Sequence, residues 1–165
     1  MAIVLAAGSS RRLGRPKQDL VHEGETLVAR ATRIAHEVAN EVIVIDRAAN
    51  PHAEEGIASS IRAGVERAGS DARILFLLCD QPRITADHLR ALIALDAPIA
   101  ASGYAGIAGV PAIFAPRFVP ELLALAGDRG ARAIIERHRD EVRVVMCEDA
   151  AFDVDEGGDL QELQR

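Results

Sequence analysis

Short runs of apolar residues alternate along the chain with longer stretches of helical periodicity. Residues 2–7, 41–46 and 74–79 are rich in Ile, Val and Leu without strict polar alternation, which is typical of strands buried on both faces. After the first run, apolar residues recur at positions 27, 28, 31, 34, 35 and 38, which predicts a helix with one buried face. Further helices are predicted near residues 59–68 and from an N-cap at Thr85 to about residue 96. This alternation predicts a parallel sheet covered by helices.

The second half of the chain has a less regular pattern. A short apolar run after Pro98 leads into a glycine-rich segment at residues 103–109, which predicts a functional loop. The remaining pattern predicts strands at 112–115 and 142–147, helices at 118–126 and 131–139, and a terminal helix around Leu160. No repeat or linker divides the sequence. We therefore expect one α/β domain over residues 1–165, with a mostly parallel, Rossmann-like sheet.

Composition narrows the classes of function. With 19 basic and 25 acidic residues the formal net charge is −6, which argues against a nucleic-acid or membrane-surface binder and favours small substrates. Cys79 and Cys147 have no metal-site spacing and suggest no disulfide framework, so we expect a reducing, cytoplasmic environment. The sequence shows no signal-peptide pattern, and no run approaches the roughly 18 apolar residues of a membrane span. Among the 19 basic residues, only Lys17 is a lysine.

The first predicted strand runs into a basic, glycine-containing loop, LAAGSSRRLGRPK at residues 5–17. Glycine and small residues after a strand let the backbone approach a ligand closely and turn its N–H groups toward phosphate oxygens. Four basic residues and no acid fall within seven positions beside a strand end, where open parallel sheets bind ligands: Arg11, Arg12, Arg15 and Lys17. Neither GxGxxG nor GxxxxGK[ST] is present. From the residues alone, the loop either binds phosphate or is a solvated basic connection.

Carboxylates follow the third predicted strand and also close the chain. Asp80, in the run LLCDQP, lies where it could hold a hard cation such as Mg²⁺ against a triphosphate, or could cap a turn. Asp153 and Asp155, in the run FDVDEGGDL, would point to the same side of an extended segment and repel each other unless a cation or basic group lay between them. The alternative is a solvated acidic terminus. The five histidines show no ligand spacing or nucleophile motif and are interpreted as surface or core residues.

These segments resemble a known family. Residues 5–17 are similar to the LAAGxSSRMGxxK signature of the nucleotidyltransferase superfamily, within its molybdenum cofactor, or MobA-like, branch. The runs LCDQP and FDVDEGGDL resemble that branch's (L/G)-x-D-Q/M-P and DIDTPEDL motifs. The resemblance covers almost the whole chain in order, except that the segment after Asp46 is shorter than in most members. It implies a single-domain, Rossmann-like three-layer sandwich of the nucleotide-diphospho-sugar transferase type.

The resemblance also implies roles for the matched residues. The implied nucleotide-binding positions are Leu5, Ala6, Ala7, Gly8, Ser10, Arg12, Lys17, Ser59, Ser60 and Asp80. Arg12, Lys17 and Asp80 are implied to be catalytic, and Asp80 and Asp155 to bind Mg²⁺. Segments 105–114 and 127–132 resemble GxxG(H/N)PxxF and GDxGAR, which implies an acceptor site at Gly106, Gly109, Pro111, Asp128 and Arg132. From the residues alone, Ser59 and Ser60 could equally be N-caps, and residues 127–130 a plain turn.

The implied activity is Mg²⁺-dependent nucleotidyl transfer. A phosphate of a molybdopterin-type acceptor would take CMP from CTP and release pyrophosphate, with a molybdoenzyme as a candidate client. One alternative is a guanylyl- or sugar-phosphate nucleotidyltransferase of the same superfamily. Another is a non-catalytic binding or delivery protein for a molybdenum cofactor, suggested by the shortened middle segment, by Val110 at a normally polar position and by Gly157-Gly158. An NAD-dependent oxidoreductase is disfavoured because GxGxxG is missing.

Overall fold

The computed structural model describes residues 1–8, 16–69 and 71–154, together with residues 159 and 162. In these residues the strands are β1 (Ala2–Leu5), β2 (Val21–His22), β3 (Glu25–Thr26), β4 (Val42–Ile45), β5 (Ile74–Leu78), β6 (Ile99–Tyr104), β7 (Ile107–Phe114) and β8 (Val142–Met146). The α-helices are α1 (Leu27–His36), α2 (Ile57–Ala68), α3 (Ala86–Ala94), α4 (Val119–Leu123) and α5 (Arg132–Arg137). Short 3-10 helices occur at Lys17–Asp19, Ala53–Glu55, Pro116–Phe118, Arg139–Glu141 and Glu148–Ala151.

Six strands form one sheet in the order β4-β1-β5-β7-β6-β8. Strand β1 pairs in parallel with both β4 and β5, and β6 pairs in parallel with β8, whereas β7 is antiparallel to both of its neighbours. The register places Leu5 level with Ile45 and with Leu78, so three strands end at one edge of the sheet. Since the chain moves to one side of β1 to form β4 and to the other to form β5, this edge is a topological switch point, where open α/β sheets bind ligands.

Two apolar layers cover the sheet because successive side chains of each central strand point to opposite faces. Ile3 and Leu5 of β1 face the layer formed by α2, α4 and α5, and Ala2 and Val4 face α1 and α3. The helices contribute buried aliphatic residues at helical spacing, for example Ile61 and Val65 in the first layer and Ile34 and Ala35 in the second. The predicted α/β fold with a mostly parallel sheet is confirmed.

Local signals predicted the first half of the chain well. Strands β1, β4 and β5 and helices α1 and α2 lie where the apolar pattern placed them. Thr85 is the N-cap of α3, and its Oγ1 accepts a hydrogen bond from the backbone N–H of His88 at 3.3 Å. The small hairpin of β2 and β3, with two residues in each strand, was not predicted, because strands this short show no periodicity.

The prediction of a loop at residues 103–109 is wrong. These residues belong to a hairpin of β6 and β7 that turns at Ala105 and Gly106, both of which have positive φ. Glycine generally weakens a strand, but at two positions of this hairpin neighbouring side chains leave no room for a Cβ. A Cβ on Gly103 would lie 2.6 Å from the sulfur of Met146, and a Cβ on Gly109 would overlap the hydroxyl of Tyr104.

Smaller differences concern the ends of elements. The strand predicted at 112–115 begins earlier, at Ile107, and the helix predicted at 118–126 is the 3-10 turn Pro116–Phe118 followed by the short α4. The prediction of a helix at Leu160 falls outside the described residues. No helix in the described part of the chain is long and apolar enough to cross a bilayer.

Candidate functional site

A cleft of about 250 Å³ opens at the carboxyl ends of β1 and β5. Its walls come from the end of β1, the 3-10 turn at Lys17–Asp19, the N-terminus of α2, the end of β5 and the turn before α5. The lining residues that the sequence had singled out are Leu5, Ala7, Gly8, Lys17, Ser60, Asp80 and Asp128. Residues from five separate segments therefore meet at the switch point of the sheet.

An ion pair lies in this cleft. The Nζ of Lys17 is 3.0 Å from Oδ2 of Asp80, and the two side chains are only 14% and 20% exposed. Partial removal from water strengthens the attraction between two such charges relative to an exposed surface pair. The other carboxylate oxygen, Oδ1, is buried and has no hydrogen-bond partner among the described residues. Asp80 thus places one carboxylate oxygen against the Lys17 ammonium, while none of the described residues compensates the other oxygen.

The backbone around Asp80 is fixed by contacts from distant parts of the chain. The Nε of Arg30 donates to the carbonyl of Pro82 at 2.7 Å, and Nε2 of the buried Gln81 donates to the carbonyl of Ala150 at 2.8 Å. The N–H of Val154 donates to the carbonyl of Asp80 at 2.9 Å. The turn after β5 is therefore held by α1 on one side and by the C-terminal segment on the other. Such bonds keep the carboxylate from moving with an open loop.

The N-terminus of α2 contacts the turn before α5. Gly56 is the N-cap of α2 with φ +105°, and a Cβ there would lie 2.6 Å from Oδ1 of Asp128 and would overlap the carbonyl of Gly127. The N–H of Ala58 donates to that same carbonyl at 3.1 Å. Since only glycine allows this approach at this φ, Gly56 is what lets the Asp128 carboxylate reach the wall of the cleft.

The two serines of α2 are not N-caps. They lie inside the helix, buried, and both accept hydrogen bonds from Nδ2 of the buried Asn50, at 2.8 Å for Ser59 and 3.0 Å for Ser60. Ser59 donates its own hydroxyl to the carbonyl of Gly56 at 2.8 Å. Of the two, only Ser60 lines the cleft.

Cys79 lies beside Asp80 in the cleft but is not poised for thiolate chemistry. Burial, and to a lesser extent the adjacent Asp80 carboxylate, raises the pKa of its thiol to about 12. The thiol is therefore protonated at neutral pH, and a thiol is a poor nucleophile. This leaves the oxygen and ammonium groups of Asp80, Lys17, Ser60 and Asp128 as the chemistry of the cleft.

Most of the predicted acceptor residues lie outside the cleft. Gly106, Gly109 and Pro111 belong to the β6–β7 hairpin, and Arg132 is the first residue of α5. The hairpin is nevertheless tied to the site, because Nε2 of Gln81 also donates to the carbonyl of Val110 at 3.2 Å. Asp128, predicted with this group, lies instead in the cleft with Lys17 and Asp80. The acceptor assignment of all five residues stays a prediction.

The remaining predicted site residues lie either outside the described residues or outside the cleft. Ser10, Arg12 and Asp155 lie outside the described residues. Ala6 is described, but it packs into the apolar layer of α1 and α3 rather than into the cleft. Asp153 is described and exposed, one residue before the Val154 that bonds to Asp80.

Three residues of the site were missed by the sequence reasoning. Asn50 holds the two serines, Gln81 ties the site to the hairpin, and Tyr104 lies against Gly109. Burial raises the pKa of Tyr104, while the charge of Arg132 lowers it and that of Asp153 raises it. Gln81 belongs to the LCDQP motif, Asn50 lies in the short segment between Asp46 and α2, and Tyr104 is the single tyrosine of the chain. Their roles depend on long-range contacts that no local pattern reveals.

The carboxylate of Asp80 fits a divalent cation. Mg²⁺ and similar hard cations take oxygen ligands and are usually bound through one or two carboxylates with water and substrate phosphates completing the shell. A buried carboxylate oxygen without a partner meets that requirement, because it is costly unless a cation or donor compensates it. The described residues contain no cluster of three or more His, Cys, Asp or Glu side chains that would form an all-protein metal cage.

Comparisons with known proteins identify the family of this chain. The family described as the MobA-like NTP transferase domain matches residues 2–142. The purine catabolism protein PucB of Bacillus subtilis (strain 168) is 32% identical over an alignment 171 residues long, which covers 82% of this chain and 80% of PucB. The crystal structure of Rv0371c from Mycobacterium tuberculosis H37Rv has a TM-score of 0.85 and 29% identity, over 98% of this chain and 95% of that chain. A complex of Rv0371c with manganese has a TM-score of 0.77 and 25% identity, over 98% and 96% of the two chains.

The matched region contains the whole of the described cleft, from the end of β1 through Lys17, Ser60 and Asp80 to Asp128. The fold, the switch-point cleft and the relatives all lead to the same assignment. This chain belongs to the MobA-like NTP transferase domain family, within the nucleotidyltransferase superfamily.

Proposed function

We propose that this protein transfers a nucleotidyl group, CMP from CTP, to a phosphate of a molybdopterin-type acceptor and releases pyrophosphate. One observation carries the proposal: the Lys17–Asp80 pair, with its unpartnered carboxylate oxygen, lies in the cleft where β1 and β5 end. Membership of the nucleotidyltransferase superfamily supports the reaction type. Cytidine is proposed because the LAAG run at residues 5–8 and the SSIRAG run at residues 59–64 resemble those of cytidylyltransferases.

Lys17 is proposed to bind the triphosphate. Lys17 lines the cleft together with Gly8, whose backbone can approach a phosphate closely because glycine has no side chain. A triphosphate would compete with Asp80 for the Lys17 ammonium, and its greater charge favours the transfer of that contact. Arg12, five positions before Lys17 in the same basic segment, is proposed as a second phosphate-binding group.

A divalent cation, Mg²⁺ in this proposal, would supply charge neutralisation of the donor and acceptor phosphates when bound. Asp80 is the residue of the described site that fits it, and Asp155 is proposed as the second carboxylate. The position of Val154, whose N–H bonds to the carbonyl of Asp80, supports bringing the C-terminal segment to this metal site. The manganese complex of the similar Rv0371c protein supports a divalent cation in this family.

The reaction itself needs little covalent help from the protein. An oxygen of the acceptor phosphate forms a bond to the α-phosphorus of the nucleotide, and the bond from that phosphorus to the bridging oxygen of pyrophosphate breaks in line. The acceptor phosphate is already ionised at neutral pH, so no general base is required. The task of the cleft is to hold the two phosphates in line and to neutralise their charge, which supplies most of the rate enhancement in such reactions.

The acceptor is proposed to lie on the β7 side of Asp80. Gly106, Gly109, Pro111 and Arg132 are the proposed contacts on that side, and the bond from Gln81 to Val110 fixes the hairpin relative to Asp80. Asp128, also predicted for the acceptor, lines the cleft at the N-terminus of α2. This separation leaves the donor nucleotide between β1 and α2 and the acceptor across β5 from it.

Pyrophosphate release tests the proposal. The purified protein is assayed with CTP, GTP, ATP or UTP, each with and without Mg²⁺ and molybdopterin. We expect release with CTP that requires both the metal and the acceptor. Faster release with GTP would replace cytidine by guanosine in the proposal. No pyrophosphate release with any of the four nucleotides, with or without Mg²⁺, would contradict nucleotidyl transfer itself.

A further inference from the structure

The side-chain amide of Asn50 has a fixed orientation. Asn50 is buried at 3% exposure in the segment before α2, and its Oδ1 lies 3.0 Å from the backbone nitrogen of His52. A backbone N–H can only donate, so the oxygen of the amide must be the atom that faces His52. The amide nitrogen, Nδ2, therefore faces the hydroxyls of Ser59 and Ser60.

This orientation determines the direction of the serine hydrogen bonds. Because Nδ2 can only donate, both serine oxygens accept from Asn50. Ser59 passes its own hydroxyl hydrogen to the carbonyl of Gly56. Ser60 accepts from Asn50 in the same way, but none of the described residues accepts its hydroxyl hydrogen, and Ser60 lines the cleft while only 6% exposed.

We infer that Asn50 is a positioning residue that makes Ser60 a hydrogen-bond donor to the nucleobase. This inference rests on the proposed function, in which the family resemblance already assigns Ser60 to nucleotide binding; the new element is the role of Asn50. The group that Ser60 contacts is a carbonyl oxygen or ring nitrogen of the base. A buried hydroxyl whose oxygen already accepts one bond is best satisfied by such an acceptor.

The charges around Ser60 favour a base over a phosphate. The Asp128 carboxylate lines the same cleft, next to Gly56 at the start of α2. Two N–H groups in the first turn of α2, which could otherwise bind an anion, are engaged: that of Ala58 by the carbonyl of Gly127 and that of Ser59 by the carbonyl of Gly56. An anionic phosphate would meet repulsion there, whereas a base can accept from Ser60 and donate an amino group to a carboxylate.

Replacing Asn50 by aspartate reverses the polarity of Ser60 with almost no change of shape. A carboxylate only accepts, so Ser60 would donate to residue 50 and present lone pairs to the cleft. We expect the dissociation constant for CTP, measured by calorimetry with Mg²⁺, to rise about tenfold in Asn50→Asp and about fivefold in Ser60→Ala. In the Ser60→Ala background, Asn50→Asp should change the dissociation constant less than twofold, because the hydroxyl through which it acts is gone.

The control is Asn40→Asp, the same substitution at an exposed position outside this cleft, which should leave CTP binding unchanged. Thermal melting without nucleotide shows whether each variant is folded. If Asn50→Asp does not fold, Asn50→Ala takes its place, with an expected threefold weakening that Ser60→Ala again cancels. Equal effects of the Asn50 substitution with and without the Ser60 hydroxyl, or none in either background, would overturn the inference.

The wild-type arm separates this inference from the proposed function. Binding of CTP or another nucleoside triphosphate by the wild-type protein supports the proposed function, whatever the variants show. An absence of binding with all four nucleotides overturns both. Normal wild-type binding with an Asn50 effect that does not pass through Ser60 overturns the positioning role alone.

Discussion

The ammonium of Lys17 lies 3.0 Å from Asp80, in a chain whose other 18 basic residues are all arginine. A surface position that needs only positive charge is served by either residue, and here arginine is used almost throughout. A compact ammonium on a flexible stem can move from a carboxylate to a triphosphate, which a planar guanidinium does less easily. The residue type at position 17 is therefore tied to the proposed chemistry of the cleft.

Lys17→Arg tests this point while keeping the charge. We expect turnover to fall about tenfold or more, equivalent to at least about 1.4 kcal/mol of transition-state stabilisation, because the larger planar group cannot follow the phosphates. Steady-state kinetics of pyrophosphate release provide the measurement. Arg143→Lys, an exchange of the same two residue types at an exposed position on β8, is the matched control. Wild-type kinetics for Lys17→Arg would show that charge alone is needed.

The sequence predicted the residues of the cleft better than their partners. Lys17, Ser60 and Asp80 follow from motifs adjoining strand ends or a helix start, and the fold brings such segments to one edge. Asn50 could not be found in this way, because its role exists only once the segment before α2 folds back on that helix. The pairing of Lys17 with Asp80 joins positions 63 residues apart and was likewise not predicted.

At the level of secondary structure elements, the junction of α2 with the turn before α5 shapes one wall of the cleft. Gly56, at φ +105°, admits the carbonyl of Gly127 and the side chain of Asp128 where a Cβ would otherwise be. Gly69, at the other end of α2, also has a positive φ of +75°, but apart from its chain neighbours no heavy atom of the described residues lies within 4 Å of its hypothetical Cβ. Substitution of Gly56 would therefore cause both backbone strain and steric overlap, whereas substitution of Gly69 would cause backbone strain alone.

Gly56→Ala should lower the free energy of unfolding by about 2–4 kcal/mol, since overlap with Gly127 adds to the cost of positive φ. Gly69→Ala, which meets only the second cost, should lower it by about 1 kcal/mol. Denaturant unfolding measures both. Gly56→Ala should also weaken nucleotide binding, because Asp128 is displaced. Equal destabilisation by the two substitutions would contradict the packing described for Gly56.

A second junction joins α3 to the β6–β7 hairpin. The Nε2 of the buried His88 lies 2.7 Å from Oγ of Ser102, and Ser102 donates its hydroxyl to the carbonyl of Pro111 at 2.7 Å. Because the serine hydrogen goes to Pro111, Nε2 of His88 must carry a proton and donate. Burial lowers the pKa of His88 below its ordinary value of 6.5, so the imidazole is neutral in the folded protein at neutral pH.

This lowered pKa predicts a pH dependence of stability. Below about pH 6.5 the unfolded chain binds a proton at His88 that the folded protein does not, so the free energy of unfolding falls as the pH falls. The slope is at most about 1.4 kcal/mol per pH unit, the limit for one proton. His88→Gln, which keeps a donor for Ser102 but does not titrate, should reduce the slope between pH 6.5 and pH 5 in denaturant unfolding. An unchanged slope would contradict the assignment.

Periodicity and caps predicted the elements whose signals are local, such as β1, α1 and the Thr85 start of α3. The middle of the β6–β7 hairpin, residues 103–109, was predicted as a loop because its glycines weaken the strand signal. In the structure Gly103 makes room for Met146 and Gly109 for Tyr104, and both contacts are set by the sheet as a whole. Glycine in this segment reflects close packing between neighbours, which no single stretch of sequence reveals.

For the molecule as a whole, nucleotide binding should be linked to global stability, because the cleft lies between helix α2 and strands β1 and β5 of the central sheet. A ligand at 100 times its dissociation constant adds about 2.7 kcal/mol to the free energy of unfolding. For a chain of 165 residues this should raise the melting temperature by about 5–10 °C. We expect this shift with CTP and Mg²⁺ and a smaller one with cytidine, which lacks the phosphates. No shift with any nucleoside triphosphate would contradict a nucleotide site.

Asp80 is proposed to hold the metal needed for nucleotidyl transfer. Metal-dependent pyrophosphate release by the Asp80→Asn variant tests this role most directly. The substitution keeps the shape and removes the charge of the carboxylate. Asp140→Asn, which makes the same change at an exposed position, is the control. We predict that Asp80→Asn folds normally but loses release by about a hundredfold or more at every Mg²⁺ concentration, while Asp140→Asn matches the wild type. Wild-type release by a folded Asp80→Asn protein would contradict the account.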